Sequence, residues 1–318
     1  MRLLAIVSRA EFLLPNLGSL IMGLAWGVTP PVDLTNLAVL VASSFAVINL
    51  SSAIGAQLNT LYDYDLDLKD QRKKHIIQAL DTFRRERLKI VLAVEFLLTA
   101  ILVSALSLTQ EKPLLLLMWL IGISLGYAYS APPARLKSRS WLAPIALILV
   151  LAFLPVLFAY HLFTPKLNYF FVMALVGLAL TVYGVIIPTE IRDYFGDKAL
   201  NIETATVRLG LVKASILSIS LLVTGGILIW AAFILELVNG VYPFLSLLTL
   251  VIPVVVFIVL RKFSKLYILS KKYTASSYDN SIGEEITTFS TQNLQWIMLV
   301  TQTYGLMSVM LLIVKLLT

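Results

Sequence analysis

Apolar runs of about 20 residues, the length that crosses a bilayer as an α-helix, recur along the chain. They fall near 12–30, 35–58, 88–108, 113–131, 141–162, 168–188, 211–234, 241–260 and 292–316. Polar residues gather at 59–87, 132–140, 189–210 and 261–291, whereas the alternate gaps, such as 109–112 and 161–167, are short. The pattern predicts an all-α integral membrane protein of nine transmembrane helices, a single domain over 1–318 with no linker. Pro15 interrupts the first run, which makes it the least regular of the nine.

Charge orients this arrangement. With the N-terminus inside, every Lys and Arg except Lys112, Lys166 and Lys315 of the 25 falls on the same side. The positive-inside rule then places the N-terminus and all four polar segments in the cytoplasm, so the expected location is the cell membrane, multi-pass. The composition agrees: 59% of residues are hydrophobic and 14% charged, and the mean hydropathy is +0.89. The net charge of +7 is accounted for by topology and by attraction to anionic membrane lipids. No basic face is left for nucleic acid. Arg2 and Arg9 bracket a short apolar stretch with no small-residue cleavage site after it, so no cleaved signal peptide is expected. The absence of cysteine excludes disulfides, thiolate metal sites and a cysteine nucleophile.

Two acidic clusters stand where apolar runs reach the water: Asn59-Thr-Leu-Tyr-Asp63-Tyr-Asp65-Leu-Asp67-Leu-Lys-Asp70, and Glu190-Ile-Arg-Asp193-Tyr-Phe-Gly-Asp197. On a helix, Asn59, Asp63 and Asp67 share one face, and so do Asp193 and Asp197, with Glu190 a turn before. Asp65 projects away and is expected to be solvated. Carboxylates this close raise one another's pKa unless a cation neutralises them. Mg²⁺, which takes oxygen ligands and bridges to phosphate, is the natural candidate. Lys73 and Arg72 follow the first cluster, while Arg192 and Arg208 flank the second. An acidic run beside a membrane helix is most often only a solvated turn; helical spacing and adjacent cations argue otherwise.

Asp63 to Asp193 and Asp67 to Asp197 are both offsets of 130 residues, and both clusters follow even-numbered runs. Two four-helix units plus a ninth helix would bring the clusters face to face across a central cavity. Such a cavity suits a diphosphate bridged by two Mg²⁺ ions.

These residues resemble the signatures of the UbiA superfamily of intramembrane prenyltransferases. The family's N-D-x-x-D-x-x-x-D is similar to Asn59-Thr60-x-x-Asp63-x-x-x-Asp67. Its D-x-x-x-D with a trailing R-L-G is similar to Asp193-x-x-Gly196-Asp197 followed by Arg208-Leu209-Gly210. Its Y-S-x-P-P-x-R-L-K resembles Tyr129 through Lys137. The resemblance covers roughly 8–260. Thr60 stands where the family has its first Asp, Glu190 where Asp or Asn is usual, and Lys74–Ala79 lacks the family's R-P-L-x-S-G-like stretch.

The resemblance implies an enzyme that moves a polyprenyl group from an allylic prenyl diphosphate to a lipophilic acceptor. That acceptor is a quinone or pigment precursor, or a glycerophosphate-type lipid. Asn59, Asp63, Asp67, Asp193 and Asp197, with Glu190 as a further candidate, would hold Mg²⁺. Arg72, Lys73, Lys137, Arg192 and Arg208 would bind the diphosphate, with Tyr129 and Tyr194 beside the allylic group. For Tyr62 and Tyr64 interfacial anchoring is the preferred reading. Glu95, inside the third run, reads as a polar tie between helices. The stretch 263–291 reads as an interfacial segment or lid, with a plain surface loop equally in view. Two other readings compete: a prenyltransferase-like subunit without activity, suggested by Thr60 and Glu190, and an ion-coupled transporter. The transporter predicts carboxylates at mid-membrane, where this chain has none of its clusters. Nothing in the sequence fixes the oligomeric state.

Overall fold

A computed structural model describes residues 2–31, 33–68, 73–199, 202–240, 242–276, 278–292 and 294–317. The chain forms helices α1 (Arg2–Val7), α2 (Leu13–Gly27), α3 (Leu34–Tyr62), α4 (Tyr64–Asp67), α5 (Lys74–Phe83), α6 (Arg85–Thr109) and α7 (Pro113–Ser130). After α7 come α8 (Leu142–Phe163) and α9 (Tyr169–Ala199). The remainder is α10 (Ala205–Leu209), α11 (Leu211–Asn239), α12 (Pro243–Ala275), α13 (Asn280–Gln292) and α14 (Leu294–Leu317). Among the described residues there is no strand, only an isolated bridge between Ser140 and Thr204.

Eight of these helices are long and apolar enough to cross a membrane: α3, α6, α7, α8, α9, α11, α12 and α14. The ninth expected crossing corresponds to α2, which has 15 residues. At 1.5 Å per residue that is about 22 Å, short of a hydrocarbon core of about 30 Å. The expectation of nine therefore becomes eight long helices with a shorter apolar helix packed among them.

Local chemistry explains several boundaries. Asp33 caps α3 by accepting from the Thr35 amide at 2.9 Å. Pro113 opens α7, where its missing N–H costs nothing. Pro188 lies inside α9 and cannot donate to the Gly184 carbonyl four residues earlier. Ser218 Oγ of α11 donates to that carbonyl instead, at 2.6 Å. α9 and α11 approach closely enough that a methyl added at Gly225 would lie 2.6 Å from the Gly177 carbonyl oxygen, the small-residue contact typical of membrane helices.

Two large apolar cores hold the bundle. One joins Met22, Trp26, Val156, Phe171, Leu222, Phe233 and Tyr304; the other joins Leu20, Leu24, Val47, Val103, Leu115 and Phe158. Both draw on α2 and α8. Leu312 of α14 packs against both as well. Each of α2 and α8 is apolar on two faces, so it can serve both cores.

Most described residues of the segment 263–291 are helical. α12 runs on to Ala275, and α13 buries Ile282 and Ile286 against Ile187, Ile191, Leu266 and Leu269. At the same end of the molecule, Val7 of α1 packs with Leu80 of α5 and Leu88 of α6.

Candidate functional site

The first acidic cluster sits where α3 gives way to α4. Asp63, at φ −98° and ψ 1°, leaves helical geometry. The hydrogen bonds nevertheless continue, from the Asp63 amide to the Asn59 carbonyl at 2.9 Å and from the Asp67 amide to the Asp63 carbonyl at 2.8 Å. The helical register survives the break, and the three side chains share a face. Asp63 and Asp67 are buried, at 6% and 3% exposure, and Asp65 is exposed. Asn59 Oδ1 accepts from Ser130 Oγ at 3.3 Å. Thr60 is also buried but turns away, its hydroxyl donating to the Ala56 carbonyl at 3.0 Å.

The second cluster rides on the unbroken end of α9. Glu190 accepts from the Thr206 hydroxyl at 2.6 Å. Arg192 donates to both carboxylate oxygens of Asp193, through Nε at 2.9 Å and Nη2 at 3.0 Å. This pair is partly solvated, its side chains 22% and 29% exposed.

Cations from other segments enter the first cluster. Lys137, in the turn Leu136–Ser138, forms an ion pair with Asp63, and Arg135 stands 3.6 Å from the same carboxylate. Lys73 donates to Asp67 at 2.6 Å. Burial pulls the Lys137 ammonium down to about 8, while the charge of Asp197 opposes that shift. Lys137 thus feels both clusters.

Both clusters line one cavity of about 1150 Å³. Asn59, Asp63, Asp67 and Lys73 form one side of its polar end; Glu190, Arg192, Asp193, Gly196 and Asp197 form the other, with Tyr129, Arg135 and Lys137 beside them. Deeper in, the wall is apolar, with Ile48, Trp119, Ile123, Leu151, Leu154 and Phe158. A main-chain hydrogen bond from Ser140 N to Glu203 O, 3.0 Å long, joins the segments that follow α7 and α9 at the rim.

Most residues selected from sequence therefore meet here, but not all. Tyr194 is buried in the apolar core around Ile187 and Leu211, off the cavity wall; one step along a helix turns a side chain by about 100° from the face of Asp193. Arg208, at the end of α10, is exposed and also off the wall. Arg72 lies outside the described residues. Tyr64 donates to Asp81 at 3.0 Å and carries the Arg85 guanidinium 3.6 Å above its ring. Tyr62 meets Tyr127 edge-on. Neither tyrosine lines the cavity. Glu95 accepts from Gln57 at 2.7 Å, joining α6 to α3.

Arg9, Glu11, Asn16, Ser51, Ser52, Arg135 and Thr189 line the cavity and were not selected from sequence. Arg135 lies within the Tyr129–Lys137 stretch, so a signal for it existed. The others carry no motif.

The polar end offers hard oxygen donors in two sets on facing helices. Among the described residues, no three acidic, histidine or cysteine side chains stand close enough together to hold a metal ion. Mg²⁺ routinely keeps waters and substrate phosphate oxygens alongside one or two carboxylates. The residues fit such a shared site and not a closed protein cage.

The sequence profile of the UbiA prenyltransferase family matches residues 16–267. The chain belongs to the UbiA prenyltransferase family. Solved structures agree in fold. A UbiA homologue from Archaeoglobus fulgidus, bound to GPP and Mg²⁺, superposes with a TM-score of 0.61 at 20% identity, covering 94% of this chain and 99% of that one. A structure from work on digeranylgeranylglyceryl phosphate synthase in membranes gives 0.60 at 15% identity, over 97% and 98%. The apo UbiA homologue from Aeropyrum pernix K1 gives 0.58 at 13%, over 94% and 98%. No curated protein sequence matches the chain significantly.

Proposed function

We propose that this UbiA-family protein transfers a polyprenyl group from an allylic prenyl diphosphate to a lipophilic acceptor, with Mg²⁺ at the polar end of the cavity. The observation that carries this reading is the division of one cavity into a carboxylate- and cation-lined end and an apolar interior. Its volume of about 1150 Å³ exceeds the roughly 300–1,000 Å³ of ordinary small-molecule pockets. It has room for a long isoprenoid tail and an acceptor together. The relatives described as binding GPP or DMAPP with Mg²⁺ support the donor class.

In this reading Asn59, Asp63 and Asp67 hold one Mg²⁺ ion, and Asp193 and Asp197 hold a second, with Glu190 adjoining. The bound metal would supply positive charge that offsets what develops on the departing diphosphate. Lys73, Lys137, Arg135 and Arg192 add charge-assisted hydrogen bonds to the diphosphate oxygens. The allylic C–O bond breaks with its electron pair leaving on the diphosphate. The acceptor nucleophile then forms the new bond to the allylic carbon and releases a proton. Tyr129, on the cavity wall, presents an aromatic face to the allylic cation, at about 0.5–2 kcal/mol. The apolar wall keeps water from capturing that cation. The acceptor is an aromatic quinone or pigment precursor, or a glycerophosphate-type lipid. The lysine and arginine distribution supports a cytoplasmic mouth in the cell membrane.

The test is purified protein with geranylgeranyl diphosphate, Mg²⁺ and a panel of acceptors of both classes, beside Asp67→Ala. Diphosphate release that requires Mg²⁺ and is lost in the variant is expected. No release under any condition overturns the enzyme reading, and metal-independent release surviving in Asp67→Ala overturns the mechanism.

A further inference from the structure

The two most buried carboxylates of the site are each held by a lysine from a different segment. Asp63, 6% exposed, pairs with Lys137, and Asp67, 3% exposed, pairs with Lys73. All four residues line the same cavity. A buried carboxylate cannot give up its partner without a replacement, because an uncompensated buried charge costs several kcal/mol. A divalent cation arriving alone would have to displace a lysine ammonium from its buried partner, leaving Lys137 only the more distant charge of Asp197. Among the described residues no third acidic group stands ready to strengthen the exchange. A cation arriving with a diphosphate meets different terms. The displaced lysine, a point charge on a flexible four-carbon stem, finds a new anion within the same cavity.

We infer that Lys137 and Lys73 are exchangeable internal counter-ions: each holds an aspartate in the ligand-free protein and moves to the diphosphate when a divalent cation takes that aspartate, so that metal binding is conditional on diphosphate. The inference rests on the cavity being a prenyl-diphosphate site. It also has a sign that a purely structural ion pair lacks. Removing the lysine charge makes the metal bind better on its own and the diphosphate bind worse. Lys137 is the stronger case, with its side chain 15% exposed against 33% for Lys73.

The experiment measures Mn²⁺ binding to the full-length protein in detergent, without diphosphate, from the electron paramagnetic resonance signal of the free ion. A second arm measures binding of an inert sulfur-bridged geranyl diphosphate analogue at saturating Mg²⁺. Relative to the wild type, Lys137→Met should bind Mn²⁺ at least about fivefold tighter and the analogue at least about fivefold more weakly, the lower edge of ordinary coupling between sites. Lys137→Arg, which keeps the charge, should restore wild-type behaviour in both arms. Lys73→Met should shift both affinities in the same directions by less, and it decides the matter if Lys137→Met does not fold. Mn²⁺ binding no tighter in the folded methionine variants, with the analogue still bound by the wild type, overturns the counter-ion exchange while leaving the prenyl-diphosphate site standing. An analogue that fails to bind the wild type at saturating Mg²⁺ overturns the prenyl-diphosphate site itself.

Discussion

The two acidic clusters carry the same residue pattern in opposite settings. The first follows a helix that breaks at Asp63, and its carboxylates are buried and neutralised by Lys137 from a distant loop and by Lys73 six residues on. The second lies on a helix that runs through to Ala199, and Asp193 is paired with its own neighbour Arg192 in a partly solvated position. The first cluster is thus part of the fold's electrostatic structure, since the loop after α7 and the start of α5 depend on it. The second is closer to a solvated ligand set. Equal motifs therefore need not have equal consequences when altered.

The largest effect separating them should come from Asp63→Asn and Asp193→Asn. Both should lower turnover at least about a hundredfold, as loss of a group that stabilises developing charge does. Only Asp63→Asn should also lower unfolding stability, by about 3 kcal/mol, because it takes away the direct ion-pair partner of the Lys137 ammonium. Equal losses in denaturation in detergent would break the comparison. Next, Thr60→Asp restores the family's residue but buries a carboxylate against α1, so it should cost about 2–3 kcal/mol with no gain in turnover. A gain in turnover would mean that position 60 reaches the cavity. Lys137→Met should destabilise the ligand-free protein by about 2 kcal/mol, against less than about 1 kcal/mol for the partly solvated Arg192→Met; melting temperatures in matched detergent give both values. The smallest effect is expected for Thr206→Val, which removes the hydrogen bond to Glu190. It should cost about 1 kcal/mol, and turnover assays should find a change of less than about tenfold.

Much of this could be read from residues alone because membrane helices and their ends follow local rules. The eight long helices fall on eight of the nine apolar runs, since backbone satisfaction in lipid leaves a long apolar run little choice. The facing clusters could be anticipated from helical spacing and the shared offset. What escaped was tertiary. The apolar run at 12–30 contains α2, only 15 residues long, because run length does not report where a helix starts. Tyr194 sits beside Asp193 in sequence but faces a core, and only the rotation of α9 relative to its neighbours decides that. Arg9 read only as a topology charge, and Ser51 and Ser52 carry no motif. Their place on the cavity wall depends on how α2 and α3 pack. Thr60 looked like a lost ligand and proves to point elsewhere.

The rim of the cavity is joined by a bond between main-chain atoms, from Ser140 N to Glu203 O. Such a link uses no side-chain atom, so at exposed Glu203 substitutions can accumulate without unfastening it, whereas Ser140 is buried and held at a φ of 25°. Proline at position 140 would remove the N–H and cannot adopt a φ of 25°, and β-branched residues are strained at that φ. The chemistry of the mouth can therefore change through the side chains around this link, with the width of its frame set by the backbone.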